Sequence, residues 1–261
     1  MKTFAVIGDP IAHSLSPTIH NEVFRQLNLI ASFDKIHIHP DNLHSFINSN
    51  ELDGFNVTIP HKQSVIPFLN KLDESAKIIG AVNCVHNGKG FNTDWIGFLI
   101  AMDLNHIELK GKNCLILGAG GAARAIAFAL ANNGVKSISI KNRTQEKAAQ
   151  LLDWVQSFYP NPTSTDDPDI VINCTPVGMW PDTEPMPDLD ITPNQVLVDT
   201  IYNPIETAWL KAGQKFGAKT VGGLDMFIAQ GLASADIWFK DKISERIKLE
   251  PIKKELDTVL C

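Results

Sequence analysis

Strand-like runs alternate with helix-like runs along nearly the whole chain, and this alternation limits the fold more than any single residue does. It predicts a strand over residues 4–7 and a helix from Pro17, a strand over 33–39 and a helix from Asp41, then a strand over 54–59 and a helix from Pro60. A second series follows the polar stretch Leu109-Lys110-Gly111-Lys112. Strands are expected over 113–117, 135–141, 169–173 and 196–201, and helices over 122–132, 146–158 and near 206–216. Parallel strands need long crossover connections, so this order implies α/β with largely parallel sheets. The chain of 261 residues suffices for one large or two smaller domains.

Charge and composition narrow the partners. A net charge of −6 argues against a nucleic-acid partner, whose phosphates call for a basic face. The cysteines (Cys84, Cys114, Cys174 and Cys261) are scattered without paired spacing, which argues against a zinc site or a disulfide framework and suits a reducing compartment. The histidines, including His13, His20 and His61, show no metal-ligand spacing. The N-terminal apolar run is too short for a signal peptide, and no stretch approaches the roughly 20 apolar residues of a membrane span. A soluble, cytoplasmic protein is expected.

The run Phe55-Asn56-Val57-Thr58-Ile59-Pro60-His61-Lys62 gathers two hydrogen-bonding side chains and a primary amine at a strand's carboxyl end. In α/β sheets that end is where small ligands bind. Lys62 reads as a surface lysine or as a functional amine, and its place in a helix's first turn, beside the positive dipole end, favours the second. Asn87-Gly88 signals a two-residue hairpin turn pairing 86 with 89, 84 with 91 and 83 with 92. Asn83 and Asn92 then share a face, joined by Asp94 if the strand continues. Asp94 serves either as the N-cap of the helix expected over 94–105 or, with Lys62, as a proton-transfer unit for a carbinol/ketone interconversion. His61 is a rival acid/base. Ser14 and Ser16 precede Pro17 at a helix start, where two hydroxyls suit a carboxylate or serve as simple caps.

Gly118-Ala119-Gly120-Gly121-Ala122-Ala123 follows an apolar strand and opens an alanine-rich helix, the context in which G-x-G-x-x-A binds a dinucleotide. The bland reading is a tight structural turn. The next strand ends in Lys141-Asn142-Arg143-Thr144-Gln145-Glu146-Lys147, with no acid before Glu146 to accept from ribose hydroxyls. Arg143, Thr144 and Lys147 suit a 2′-phosphate, so NADP is expected over NAD. The same residues also serve as a capped helix start with solvated charges. Position alone assigns neither Tyr202 nor Gln230, and the five tryptophans read as packing.

These pieces, in this order, resemble the shikimate dehydrogenase family from Phe4 to the last helices. The matching segments are Ser14 to Pro17, Asn56 to Lys62, Gly80 to Asn83, Asn92 to Asp94, Gly118 to Ala123, Asn142 to Thr144 and Gly222 to Gln230. The resemblance implies an NADP-dependent oxidoreductase that reversibly reduces 3-dehydroshikimate to shikimate in aromatic amino acid (chorismate) biosynthesis. It implies an N-terminal α/β substrate domain over 1–105 and a Rossmann-like NADP-binding domain over 106–234, with a cleft between them. Helices from about 235 to 261 are expected to pack back on the first domain. Position by position it makes Lys62 and Asp94 the catalytic pair and gives Ser14 and Ser16 the substrate carboxylate. Asn56, Thr58, Asn83, Tyr202 and Gln230 would contact ring hydroxyls or carboxylate. Gly118, Ala119, Gly120, Gly121, Ala122, Asn142, Arg143, Thr144, Lys147 and Gly223 would line the cofactor, with Glu74 and Thr200. Three positions depart from the family's usual residues: Cys84 for threonine, Asp225 for glycine and Gly231 for alanine. Shikimate and 3-dehydroshikimate are the expected partners, and a homodimer is left open. The rivals are a quinate/shikimate dehydrogenase able to use NAD and a non-catalytic ligand sensor on the same scaffold, against which the retained Lys62 and Asp94 argue.

Overall fold

Apolar residues at consecutive positions of the opening strand need cover on both faces, and the first unit supplies it. In the computed structural model, which describes residues 1–160, 167–183 and 191–260, β1 (Lys2–Gly8) buries Phe4, Ala5, Val6 and Ile7. The chain divides into two units, Met1–Asp94 with Ile228–Val259, and Trp95–Phe227. The first continues through α1 (Ser16–Gln26), β2 (Ala31–His37), α2 (Leu43–Ser49), β3 (Gly54–Val57), α3 (His61–Ser64), β4 (Lys71–Leu72), α4 (Glu74–Ile79), β5 (Cys84–His86) and β6 (Lys89–Phe91). Its six strands lie in the order β2-β1-β3-β5-β6-β4, with β1 parallel to both neighbours and β5 antiparallel to β3 and β6. One face is aliphatic: Ile7, Phe55, Val57 and Val85 pack with Leu43, Val65, Ala76 and Val82.

Several local expectations hold. His86 faces Lys89 and Cys84 faces Phe91, and Asn87 and Gly88 take φ of 50° and 70°, as a two-residue type I′ turn requires. Others shift. β3 stops at Val57, so Ile59 leaves the sheet and is 63% exposed. The helix expected from Pro60 is a four-residue turn. β4 is too short to leave a periodic signal, and α4, capped by Asp73 and closed by Gly80 at φ 67°, went unread.

α5 (Asp94–Leu104) leads into the second unit: β7 (Asn113–Leu117), α6 (Gly121–Asn132), β8 (Ser137–Lys141), α7 (Gln145–Phe158), β9 (Ile170–Asn173), β10 (Val196–Asp199), α8 (Ala208–Lys215) and β11 (Lys219–Val221). These strands form a parallel five-stranded sheet in the order β11-β10-β9-β7-β8. Alternate residues face opposite layers. Cys114, Ile116, Ile138 and Ile172 pack with Ile126, Leu130, Leu151 and Phe98, whereas Leu115, Leu117, Val171 and Leu197 pack with Trp209 and Leu210. α6 and α7 cover one face of this sheet and α8 the other, and β8 and β9 flank β7 on its two sides. The connections therefore part at the carboxyl end of β7, where open α/β sheets bind ligands. β11 was not anticipated.

α9 (Leu224–Phe239) starts in the second unit and ends in the first, and α10 (Leu249–Asp257) follows. Just before α10, Gln26 and the Lys248 backbone exchange two hydrogen bonds of 3.0 Å, tying this return to α1. The divisions at 94/95 and 227/228 thus fall inside helices rather than at the polar stretch 109–112. No helix among the described residues is long and apolar enough to cross a membrane, and no group of three or more His, Cys, Asp or Glu there could hold a metal ion.

The second face of the first sheet is aromatic. Phe4, Phe33 and Gly54 are in register across β1, β2 and β3. Trp238 stacks on Phe4 with ring centres 4.7 Å apart, and its Nε1 donates to the Val85 carbonyl at 3.1 Å. Gly54 leaves room for that indole: a Cβ there would lie 2.6 Å from Trp238 Cδ1 and Nε1 and 3.0 Å from Val85 O. Trp238 is 1% exposed and cannot retreat. Gly54→Ala should therefore cost about 1–3 kcal/mol by overpacking, read as a lower denaturant midpoint; an unchanged midpoint would mean that Trp238 gives way freely.

Candidate active site

Lys62 is the second residue of α3, and its ammonium donates to Asp94 Oδ2 at 2.6 Å. The two side chains are 17% and 6% exposed, so the pair is largely shielded from water. Asp94 offsets the disfavoured position of a cation at a helix start. The carboxylate is held by its own turn: Asn92 Oδ1 accepts the Asp94 backbone N–H at 3.0 Å, and Asn92 Nδ2 donates to the Ala81 carbonyl at 2.9 Å. Asn83, Asn92 and Asp94 do converge, but through this turn and not along a continued strand, because β6 ends at Phe91. The rival His61 faces the other way. It is fully buried, with Nε2 2.6 Å from the Ile38 carbonyl.

Asn83 is the hub. Its Oδ1 accepts the Thr93 backbone N–H at 2.7 Å. Its Nδ2 lies 2.9 Å from Asp94 Oδ1, 2.9 Å from Thr93 Oγ1 and 3.1 Å from Gln230 Oε1, three acceptors for two hydrogens. Asn56 Nδ2 donates to the Asn83 carbonyl at 3.0 Å and to Ser234 Oγ at 2.9 Å. Lys62, Asp94, Asn83, Asn56 and Gln230 thus form one hydrogen-bonded cluster within the first unit. In the same unit Ser14 Oγ donates to Ser16 Oγ at 3.3 Å, and the Thr58 hydroxyl has no partner among the described residues.

Tyr202 belongs to the second unit, its ring stacked on Phe227 at 3.8 Å. Glu74 belongs to the first, exposed in the opening turn of α4, where an acid suits the helix dipole. The departures from family pattern find local roles. Asp225 accepts from Asn105 Nδ2 at 3.2 Å. Cys84 is fully buried, and burial pushes its thiol up to about 12, which leaves an inert packing group. A Cβ at Gly231 would meet only ordinary contacts, the nearest 3.5 Å away.

The second unit carries a cradle fitted to a dinucleotide at the carboxyl end of β7. Gly118 has φ 107°, and a Cβ there would lie 2.9 Å from the Cys174 carbonyl at the end of β9. A Cβ at Gly120 would meet nothing within 4 Å, which is the open approach that a pyrophosphate needs. α6 begins at Gly121 without a side-chain cap, so its first N–H groups, including those of Ala122 and Ala123, face this opening. Ala119 packs against the core beneath. After β8, Asn142 Nδ2 donates to the Thr144 carbonyl at 2.9 Å, and Thr144 places no hydroxyl on the backbone of α7. Arg143, Thr144 and Lys147 are exposed, and the two cations have no partner among the described residues. Nearby, Thr200 Oγ1 donates to the Asn173 carbonyl at 2.9 Å. A Cβ at Gly223 would strike the Thr200 and Ile201 carbonyls at 2.5 and 2.6 Å.

Sequence reasoning missed three residues near these clusters. Ser234 and His20 carried no motif, although Ser234 lies four residues after Gln230 and so shares its helix face. Asp199 was hidden in an apolar strand, where a buried acid is itself the signal. It is 1% exposed, accepting from Asn173 Nδ2 and Ile201 N–H at 3.0 Å and from Thr207 Oγ1 at 2.8 Å.

Comparisons with known proteins agree with this fold. A family model described as the shikimate dehydrogenase substrate binding domain matches residues 6–85, and one for shikimate / quinate 5-dehydrogenase matches residues 100–176. The shikimate dehydrogenase (NADP(+)) of Nitrosopumilus maritimus is 41% identical over 253 residues, covering 91% of this chain and 93% of the relative. A crystal structure of a shikimate dehydrogenase in complex with NADP+ superposes with a TM-score of 0.92 at 36% identity, over 100% of this chain and 96% of the other. The Thermus thermophilus enzyme in complex with NADP(H) and shikimate gives 0.83 at 32% identity, over 98% and 100% of the two chains.

Asp199 makes a pH prediction. Burial pushes its carboxyl up from 3.8 to about 6 against three opposing hydrogen bonds. The folded state then holds a proton that the unfolded chain releases, so this contribution is fully present below about pH 4 and is lost as pH rises to about 6. The loss is at most about 2–3 kcal/mol. In Asp199→Asn an amide keeps the acceptor for Asn173 and Ile201. Urea unfolding should show the variant gaining on the wild type between pH 4 and 6; parallel pH curves would refute the raised carboxyl.

Proposed function

Because the chain belongs to the shikimate dehydrogenase family, we propose that it catalyses the reversible NADP-linked reduction of 3-dehydroshikimate to shikimate, with Lys62 and Asp94 moving the proton. The observation that carries this reading is the shielded 2.6 Å contact between the Lys62 ammonium and Asp94, itself locked to Asn83. NADPH, when bound, would supply the hydride. The Lys62 ammonium donates its proton to the substrate's carbonyl oxygen as that oxygen gains charge, and Asp94 holds the amine in line and stabilises its charged form. In the reverse direction the neutral amine takes the proton of the C3 hydroxyl.

Orientation falls to the surrounding polar groups. Ser14 and Ser16 turn their hydroxyls from each other onto the substrate carboxylate. Asn56, Thr58, Asn83, Tyr202 and Gln230 are assigned to the ring hydroxyls or the carboxylate. Gly118 to Ala122 would hold the pyrophosphate, and Arg143, Thr144 and Lys147 the 2′-phosphate, with Asn142, Gly223, Thr200 and Glu74 as further cofactor contacts. An NAD-using quinate enzyme is disfavoured by the want of an acid between β8 and Glu146. The free thiols of Cys84 and Cys114 suit a cytoplasmic setting, whereas Cys261 lies outside the described residues.

Absorbance at the NADPH band, with shikimate or quinate offered against NADP and NAD in turn, tests the reading directly. NADP reduction by shikimate is expected; turnover with neither acid would leave a ligand sensor. General acid–base help is worth roughly 10²–10⁴-fold, so Lys62→Met should lower kcat by that factor while the KM for NADP stays within about twofold. Near-normal turnover would remove Lys62 from the chemistry. Arg143→Ala should raise the KM for NADP by roughly 10–100-fold, the worth of a charged phosphate contact, with little change toward NAD. Equal effects on both cofactors would count against the 2′-phosphate role.

A further inference from the structure

Five parallel strands end along one edge of the second unit, and a single buried carboxylate ties two of those ends together. Asp199 closes β10, and beside it Asn173, fully buried, closes β9. The Asp199 Oδ1 accepts from Asn173 Nδ2 and from the Ile201 backbone N–H, both at 3.0 Å, and its Oδ2 accepts from Thr207 Oγ1 at 2.8 Å. Asn173 turns its own amide oxygen to the loop after β9, accepting from the Thr175 N–H at 2.9 Å and from Thr175 Oγ1 at 2.7 Å. Thr207 caps α8 by accepting from the Leu210 N–H, so Asp199 also fixes where the loop after β10 ends. A carboxylate withdrawn from water is costly, and an aliphatic side chain would pack there without that cost. What the carboxylate adds is a set of directional bonds to three segments.

These segments border the dinucleotide cradle. A Cβ at Gly118 would lie 2.9 Å from the Cys174 carbonyl and 3.2 Å from Thr175 Cγ2, so the loop after β9 abuts the glycine turn. The start of the loop after β10 leans on it in turn, the Thr200 N–H donating to the Asn173 carbonyl at 3.0 Å. The strand order β11-β10-β9-β7-β8 sets a direction: the glycine turn follows β7, and Arg143 and Lys147 follow β8. A dinucleotide with its 2′-phosphate toward β8 and its pyrophosphate at β7 extends its nicotinamide half over the ends of β9 and β10.

We propose that Asp199 is a positioning residue that, through Asn173 and Thr207, holds the loops after β9 and β10 at the spacing the nicotinamide half of NADP requires. The inference deepens the reading of this unit as an NADP site and rests on it. Asp199 touches neither cofactor nor substrate. The adenylate half is assigned to other elements, the glycine turn and the start of α7. Loss of the carboxylate therefore loosens one half of the site and leaves the other as it was.

Titration calorimetry on the full chain tests it without need of turnover, using NADP+ and adenosine 2′,5′-bisphosphate, which carries the adenylate half alone. Asp199→Ala should weaken NADP+ about tenfold, as expected for one lost hydrogen bond, with the bisphosphate within about twofold of wild type. Its kcat with shikimate should fall by a similar factor. Asp199→Asn keeps an oxygen for Asn173 and Ile201 and an amide hydrogen for Thr207 Oγ1, and should recover most of both losses. Should Asp199→Ala not fold, Thr207→Ala and Thr207→Ser give the same contrast at one arm: the alanine weakens NADP+ severalfold, and the serine, which keeps the hydroxyl, does not. Wild-type NADP+ affinity in folded Asp199→Ala or, failing that, in Thr207→Ala overturns the proposal. Equal weakening of both probes also overturns it, marking Asp199 as a support for the whole unit. Wild-type protein that binds neither probe overturns the inference together with the NADP reading.

Discussion

A lysine and a carboxylate withdrawn from water are costly unless their remaining hydrogen-bonding capacity is met, and the first unit is built around meeting it. Asp94 has one oxygen on Lys62 and the other on Asn83, and its backbone N–H on Asn92. Asn83 in turn ties that carboxylate to Thr93 and Gln230, so a turn, a strand end and a helix meet on one amide. Lys62 and Asp94, proposed above to move the proton, are therefore set before any substrate arrives, which is the condition under which a positioned acid or base is effective.

This arrangement depends on how β3 is covered. Phe55 and Val57 face an aliphatic layer, while Gly54 and Asn56 face the aromatic layer of Phe4, Phe33 and Trp238. A polar side chain on that second face is shielded rather than solvated, and it must find partners within the protein. Asn56 finds Asn83 and Ser234. The sheet thus supplies a dry floor at one end of which hydrogen bonds can be directional and strong.

Much of this was legible in the residues. Hydrophobic periodicity placed most strands and helices, Asn87-Gly88 fixed the hairpin register, and the strand–turn–helix setting of Gly118 to Ala123 located the cradle. What escaped had physical reasons. The hydrogen-bonding residues of the run Phe55 to Ile59 gave no sign of their depth, because a single sequence cannot tell a solvated polar residue from one buried with partners. Two- and three-residue strands such as β4 and β11 are too short to show a period, their pairing being decided by distant neighbours. Asp199, His20 and Ser234 lay in apolar surroundings without any motif, and only burial and hydrogen bonds single them out. Gly54 looked like an ordinary strand residue until the indole facing it was placed.

The two halves of the dinucleotide cradle have opposite tolerance to change. At Gly118 the backbone is pressed against a neighbouring carbonyl and twisted where side chains rarely go, so drift there is closed off. Arg143 and Lys147 stand in solvent without a partner among the described residues, and exchanging them disturbs no packed atom. If these cations hold the 2′-phosphate as proposed, selection can retune which nicotinamide nucleotide is preferred at almost no cost to folding, while the glycine turn stays locked. Cofactor choice is the evolvable part of this scaffold, and its glycine turn is the heirloom.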